Sequence, residues 1–206
     1  KITNLTYTAS RAGETIFADI SGDMNGLAFE KVTLDVSSYG GSSIGLIGHL
    51  QGNGADLSFT DITVNAGTAT EVGCIGTMEG SLTRINLHNI NVRGRGDYIG
   101  GLAGLARGEI SDVTMSGDVS GTAANTVYGS NVINDGNSQG TGGLIGIPYG
   151  PMENVEVTGT HVKGYQRVGG VSGYINENTS ENIRVGKEEE PDADNAKRYS
   201  VFVEGT

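Results

Sequence analysis

One six-residue phrase keeps returning along this 206-residue chain, and it limits what the chain can fold into more than any other feature. The phrase is apolar, any residue, turn residue, apolar, any residue, apolar. It reads ITNLTY (2–7), FEKVTL (29–34), FTDITV (59–64), LTRINL (82–87), ISDVTM (110–115), MENVEV (152–157) and, with a polar first residue, SENIRV (180–185). A glycine cluster precedes each copy after the first, ending at Gly22 (FADISG), Gly48 (SIGLIG), Gly76 (EVGCIG), Gly104 (IGGLAG), Gly146 (TGGLIG) and Gly173 (VGGVSG). Those glycines lie 26, 28, 28, 42 and 27 residues apart, so the unit is about 28 residues and one unit carries a 14-residue insertion. Self-similarity at such a period is the mark of a stacked repeat, in which each unit buries its apolar face against its neighbours.

Alternation with period two inside the phrase predicts strands, and glycines between the runs predict tight corners, about three short strands to a unit. Apolar residues three and four apart, which a helix would need, do not recur. The expected fold is all-β, a right-handed parallel β-helix (β-solenoid) of about six coils of roughly 28 residues. Its inward residues should stack in files at the ~4.8 Å strand spacing. One expected file is Leu5, Val32, Ile62, Ile85, Val113, Val155 and Ile183, and its neighbour is Tyr7, Leu34, Val64, Leu87, Met115, Val157 and Val185. The turn position carries Asn4, Lys31, Asp61, Arg84, Asp112, Asn154 and Asn182, and Asn and Asp suit a left-handed bend. Lys31, Asp61, Arg84 and Asp112 alternate in sign and are expected to form one surface charge ladder. The repeat domain spans 1–186, with a loop insertion near 123–137, and 187–206 supplies an acidic loop and a capping strand of the same domain. Val201, Phe202 and Val203 would form that strand and cover an open end of the tube.

Composition narrows the function classes. Thirty-five glycines without a Gly-X-Y period exclude collagen. A net charge of −11 argues against nucleic acid as a partner, because binding a phosphate backbone requires a concentrated positive surface. Arg84, Arg93, Arg95 and Arg107 read as solvated surface among acids. No apolar run approaches the length of a membrane-crossing helix, so direct membrane insertion is not expected. Cys74 is the single cysteine and falls where other units carry Leu, Ile or Val, so it reads as a small buried apolar residue. His49, His88 and His161 occupy non-equivalent positions without metal-ligand spacing. The run NDGN (134–137) lacks the ordered acids of a calcium loop and reads as a turn. No catalytic residues, metal ligands or cofactors are assigned.

The Gly-Leu-x-Gly cluster, the following phrase, and segments such as MSGDVSG (115–121) and VTGTHVKG (157–164) resemble the GLUG-motif repeats of bacterial surface and secreted proteins. The resemblance covers roughly residues 16–186 and is strongest around Gly104 and Gly146. It implies a β-helix inside a larger exported polypeptide, located outside the cell or on the bacterial cell surface. It carries no established catalytic set. The chain's start at Lys1, without an initiator Met, fits a segment of something longer.

Two readings of function follow. The first is a non-enzymatic structural or adhesion module whose partner is a glycan or a surface-protein ligand. The alternative is a carbohydrate-active β-helix enzyme, a polysaccharide lyase or hydrolase, marked by acidic and basic side chains gathered in an exposed groove. Asp61, Arg84 and Asp112, read as one file, would put two acids roughly 10 Å apart at two coil rises, wide for a water-activating pair. Recognition is better sought where the chain departs from its repeat, since loops set on a rigid scaffold commonly bind. The expected ligand-binding residues are Tyr128, Asn131, Asn134 and Asp135 of the insertion, with Tyr149, Tyr165 and Tyr174 of the next two units.

Overall fold

The computed structural model describes residues 1–122, 125–137, 139–174, 180–186 and 201–205. Among them there is no helix, and all strand pairs are parallel except one hairpin. The chain winds into a β-solenoid of about six coils with three walls. The long wall contains Ile2–Thr8, Ala28–Val36, Gly54–Ala66, Leu82–Gly94, Ile110–Ser116, Met152–Val157 and Glu181–Val185. The second wall is Gly41–Ile44, Ala69–Val72, Tyr98–Gly100, Gly140–Gly142 and Val168–Gly169. The third is Phe17–Ile20, Ile47–Leu50, Ile75–Met78, Ala103–Ala106 and Ile145–Pro148.

Files of like side chains fill the tube. One runs Ile2, Phe29, Phe59, Leu87, Met115, Val157, Val185, with the Phe29 and Phe59 rings stacked 5.2 Å apart. Another runs Tyr7, Leu34, Val64, Val92, Val132, Val162, Val203. Each buried aliphatic or Phe side chain removed from water contributes ~1.5–3 kcal/mol, so a narrow interior suffices if every coil supplies the same few. Cys74 stands in the corner file with Leu46, Leu102 and Leu144, fully buried, and burial pushes its thiol well above its ordinary range.

The expected files are correct at both ends and slip in the middle. Leu5 faces Val32, Val32 faces Ile62, and Ile85 faces Val113, but Ile62 faces Ile90 and Ile85 faces Leu57. The cause is that the coils of Gly54–Ala66 and Leu82–Gly94 each make two left-handed bends five residues apart. Asn4, Lys31, Asp61 and Asn89 form one file of bends, at φ 53–56°. Asp56, Arg84, Asp112, Asn154 and Asn182 form another, at φ 52–55°. The single charge ladder is therefore corrected. Arg84 binds Asp56, with Nε donating to Oδ1 at 2.7 Å and Nη2 to Oδ2 at 2.8 Å, while Asp61 accepts from Asn89 Nδ2 at 3.1 Å. Left-handed backbone costs an ordinary residue about 1–2 kcal/mol. Amide side chains offset this by bonding from coil to coil, as Asn182 does to Asn154 and Asn154 to Asp112, each at 3.0 Å.

The glycine alignment also shifts at the first unit. Phe17 faces Ile47 and Asp19 faces His49, so the counterpart of Gly48 is Ala18, 30 residues earlier, and not Gly22. Gly22 belongs to another file, stacked under Gly52, where a Cβ would sit 2.3 Å from the Gly22 carbonyl oxygen.

The insertion resolves into two pieces. His88 faces Ser116, 28 residues on; Asn91 faces Asn131, 40 on; Tyr98 faces Gly140, 42 on. Twelve of the fourteen extra residues thus enter within the long wall, and two at the following corner. The twelve carry the antiparallel hairpin of Val119–Thr122 and Asn125–Tyr128, closed at its base by Gly129 N–H donating to Asp118 O at 2.7 Å. The expected loop over 123–137 is corrected accordingly: Ser130–Asn134 is a strand of the long wall, paired with Leu82–Gly94 on one side and Thr160–Gly164 on the other. Val201–Gly205 pairs in parallel with Thr160–Gly164. Residues 187–200 of the expected acidic loop lie outside the described residues.

Candidate functional site

The second and third walls meet at a sharp corner made of Gly-Leu or its equivalents, and a groove runs along the tube there. A Cβ on Gly104 would sit 2.3 Å from Val72 N, so only glycine lets the third wall bend this close against the second. Across the first coils the groove encloses about 410 Å³. Its third-wall side carries the outward file Asp19, His49, Thr77, Leu105, Ile147. Its second-wall side carries Ser43, Glu71, Tyr98 and Gly140. The hydroxyls of Ser43 and Thr77 hydrogen-bond across it.

A further file, Glu79, Arg107 and Tyr149, borders the groove, one coil to each residue, held in step by Arg107 N–H donating to Met78 O and Tyr149 N–H to Ala106 O. Polar contacts link successive coils. Asp19 Oδ1 lies 3.3 Å from His49 Nδ1, and Glu79 Oε1 lies 3.6 Å from His49 Nε2 and 3.1 Å from Arg107 Nε. The Arg107 guanidinium then covers the Tyr149 ring at 5.5 Å from its centroid. Burial, aided by Asp97, holds the Glu71 carboxyl above its ordinary range, against the pull of Arg107. Burial likewise raises Tyr98, with Tyr149 and Asp97 adding to it and Arg167 opposing.

The outward file changes character along the tube. Where earlier coils place Asp19, His49 and Thr77, the later ones place Leu105 and Ile147, exposed by only 7% and 5% yet outside the core cluster. Tyr98 stands on the facing wall at the same level as Gly140, which leaves a gap in that wall. Tyr149 is 41% exposed, and Arg167, in a left-handed bend at φ 50°, lies 4.8 Å over the Tyr174 ring. This end of the groove is an apolar shelf edged by tyrosines and arginines, and the other end is polar and charged.

The seven residues expected to bind do not come together. Tyr128 stacks on Phe202, with ring centroids 6.4 Å apart, and tilts on His161 at 6.0 Å, so it packs the hairpin against the terminal strand. Asn131 donates from Nδ2 to Asn91 Oδ1 at 2.8 Å and to Tyr128 O at 3.0 Å, as part of the long wall. Asn134 is 4% exposed; its Nδ2 donates to Gly96 O and its Oδ1 accepts from Gly136 N–H, so NDGN is a turn as expected. Asp135 accepts from Arg93 Nε at 2.5 Å. Tyr165 is exposed at a different corner, between Thr160–Gly164 and Val168–Gly169. Only Tyr149 and Tyr174 lie by the groove. The expected file of Asp61, Arg84 and Asp112 is divided between the two bend files. Sequence reasoning missed Tyr98, Leu105, Ile147, Glu71 and Arg167. Leu105 and Ile147 do carry a signal, as apolar residues at a position that is polar in earlier units.

Each histidine has a carboxylate close by: His49 has Asp19, His88 has Asp118 at 3.6 Å, and His161 has Glu204 at 3.4 Å. Among the described residues no group of three or more His, Cys, Asp or Glu side chains is placed to hold a metal ion. No family model matches the chain, and no curated protein or solved structure matches it either.

Proposed function

We propose that this β-solenoid is a non-enzymatic adhesion module of a cell-surface polypeptide and that it holds a glycan along the groove between its second and third walls. The observation that carries this reading is the Tyr149 ring, 41% exposed at the edge of the groove, with Arg107 over it and the nearly covered Leu105 and Ile147 beside it. A pyranose ring has an apolar C–H face and a rim of hydroxyls. The exposed Tyr149 ring matches the face, and Thr77, Glu79 and Arg107 beside it match the rim. The GLUG-like repeats support the cell-surface setting.

A second reading, a carbohydrate-cleaving enzyme, draws on Glu71, whose raised carboxyl faces the same groove as Glu79 and Arg107. One sample tests both. On a glycan array and in a polysaccharide-cleavage assay, binding without product is expected; product would overturn the non-enzymatic reading. Tyr149→Ala should weaken glycan binding at least tenfold, the size of a central contact, while its exposed side chain leaves the melting temperature nearly unchanged. Equal binding by the variant would remove the groove from the reading.

A further inference from the structure

We infer a second binding site, for a small sugar acid, at the corner where the long wall passes into the second wall. It lies at the other end of the second-wall strands from the groove and does not depend on the glycan reading. The cavity there measures about 510 Å³ and spans four coils, with Ser37 and Ser38 from one, Asn65 and Thr68 from the next, Arg93 and Arg95 from the third and Asp135 from the fourth.

Three features make this corner a site for a hydroxylated carboxylate. The first is charge. In a chain of net −11, two arginines two residues apart share this rim, facing a single lining carboxylate, Asp135. Arg93 Nε is taken by Asp135, whereas among the described residues no carboxylate forms an ion pair with Arg95. Arg93 thus already holds a carboxylate in this corner, and Arg95, exposed beside it, presents the same planar set of donors to a ligand.

The second is the hydroxyl and amide groups of Ser37, Ser38, Asn65 and Thr68, which share the lining with Tyr39 and Ala66. The nearby Asp35 carboxylate is held below its ordinary range first by the Ser37 hydroxyl and then by Ser37 N–H, which donates to it at 3.0 Å; this fixes the turn and leaves the Ser37 hydroxyl oxygen to accept at the exposed rim beside Ser38. The third is the floor, which is bare backbone. A Cβ on Gly67 would sit 2.1 Å from Tyr39 O, so no side chain can fill the corner from below.

The carboxylate of the ligand pairs with Arg95, and its hydroxyls bond to Ser37, Asn65 and Thr68. Titration with glucuronate, followed through the Arg95 Nε–Hε NMR signal, tests this. Glucuronate is expected to shift that signal and saturate it. Glucuronamide, with the same hydroxyls and no charge, should bind at least tenfold more weakly, as should glucuronate to Arg95→Gln; one charge-assisted contact corresponds to about that factor. Arg95 is exposed, so Arg95→Gln should melt as the parent does. An unmoved Arg95 signal, equal binding of glucuronamide, or equal binding by Arg95→Gln each overturns the site. Tyr149→Ala should leave glucuronate binding unchanged; if it weakens it, the acid sits in the groove, and this site fails while the glycan reading stands.

Discussion

In Gly54–Ala66 and Leu82–Gly94 the long wall runs thirteen residues without a break, through both left-handed bends. In the following coil the same path stops at Ser116 and resumes at Ser130, with the hairpin between. The inward files nevertheless continue past the break: Leu87 faces Met115 before it, and Val92 faces Val132 after it. Each stretch of wall is held in register by its own neighbours above and below, so a coil need not be continuous to be well packed. The break falls at the bend after Asn89. There the outward Asn89 gains partners from the hairpin side: its Oδ1 accepts from Asp118 N–H at 3.0 Å and its Nδ2 donates to Asp118 Oδ2 at 3.2 Å.

If the files carry the stability, the largest effect belongs to the unbroken region. Phe59 serves two phrases at once, ending one and beginning the next, and it stacks flat on Phe29 while facing Leu87. Phe59→Ala should cost about 3–5 kcal/mol in chemical denaturation, the range for a buried Phe whose cavity cannot collapse. A cost near 1 kcal/mol would mean that the backbone ladder, and not the apolar file, holds the coils.

The broken region should depend instead on one polar side chain. Where the ladder is cut, the fully buried Ser130 hydroxyl accepts from Ile90 N–H at 3.0 Å and donates to Ser116 O at 2.8 Å, standing in for the missing backbone partner. Ser130→Ala leaves a buried N–H and a buried carbonyl without that bridge. It should cost about 2 kcal/mol, against little for the loss of a solvated hydroxyl. The check is again a denaturation midpoint, supported by faster hydrogen exchange at Ile90 N–H.

The same contrast explains what could be read beforehand. Period, parallel stacking, three walls and the apolar role of Cys74 all follow from local rules repeated in sequence, and they hold in the structure. The register slipped between Ile62 and Ile85 because the phrase marks a left-handed bend, and the coils of Gly54–Ala66 and Leu82–Gly94 each have two. The second copy in Leu82–Gly94, LHNINV, and the first in Gly54–Ala66, GADLSF, share a residue with their neighbours. In the latter, Gly54 hides the first apolar position, because the Leu82 side chain occupies the space: a Cβ on Gly54 would lie 2.5 Å from Leu82 Cδ2. The groove was less legible for a different reason. Tyr149 and Tyr174 stand out as aromatics, but Tyr98, Glu71 and Arg107 share one groove only because a corner folds two walls together, and no spacing along the chain encodes that meeting.

The smallest effect tests the comparison most directly. Removing residues 118–129 joins Gly117 to Ser130 and restores the 28-residue step from Ile90, turning the broken coil into an unbroken one. The change forfeits the packing of Tyr128 on Phe202 and His161, worth about 0.5–1.5 kcal/mol for an aromatic pair, and removes the entropy cost of closing the loop, which acts in the opposite sense. The net change should be about 1 kcal/mol or less, with the β-sheet circular dichroism of the parent retained. In this shortened chain the backbone ladder is continuous where the Ser130 hydroxyl used to bridge it, so Ser130→Ala should cost less than in the parent. Equal cost in both chains would show that the hydroxyl is needed by the coil itself and not by the break, and the contrast between the two regions would then lose its physical basis.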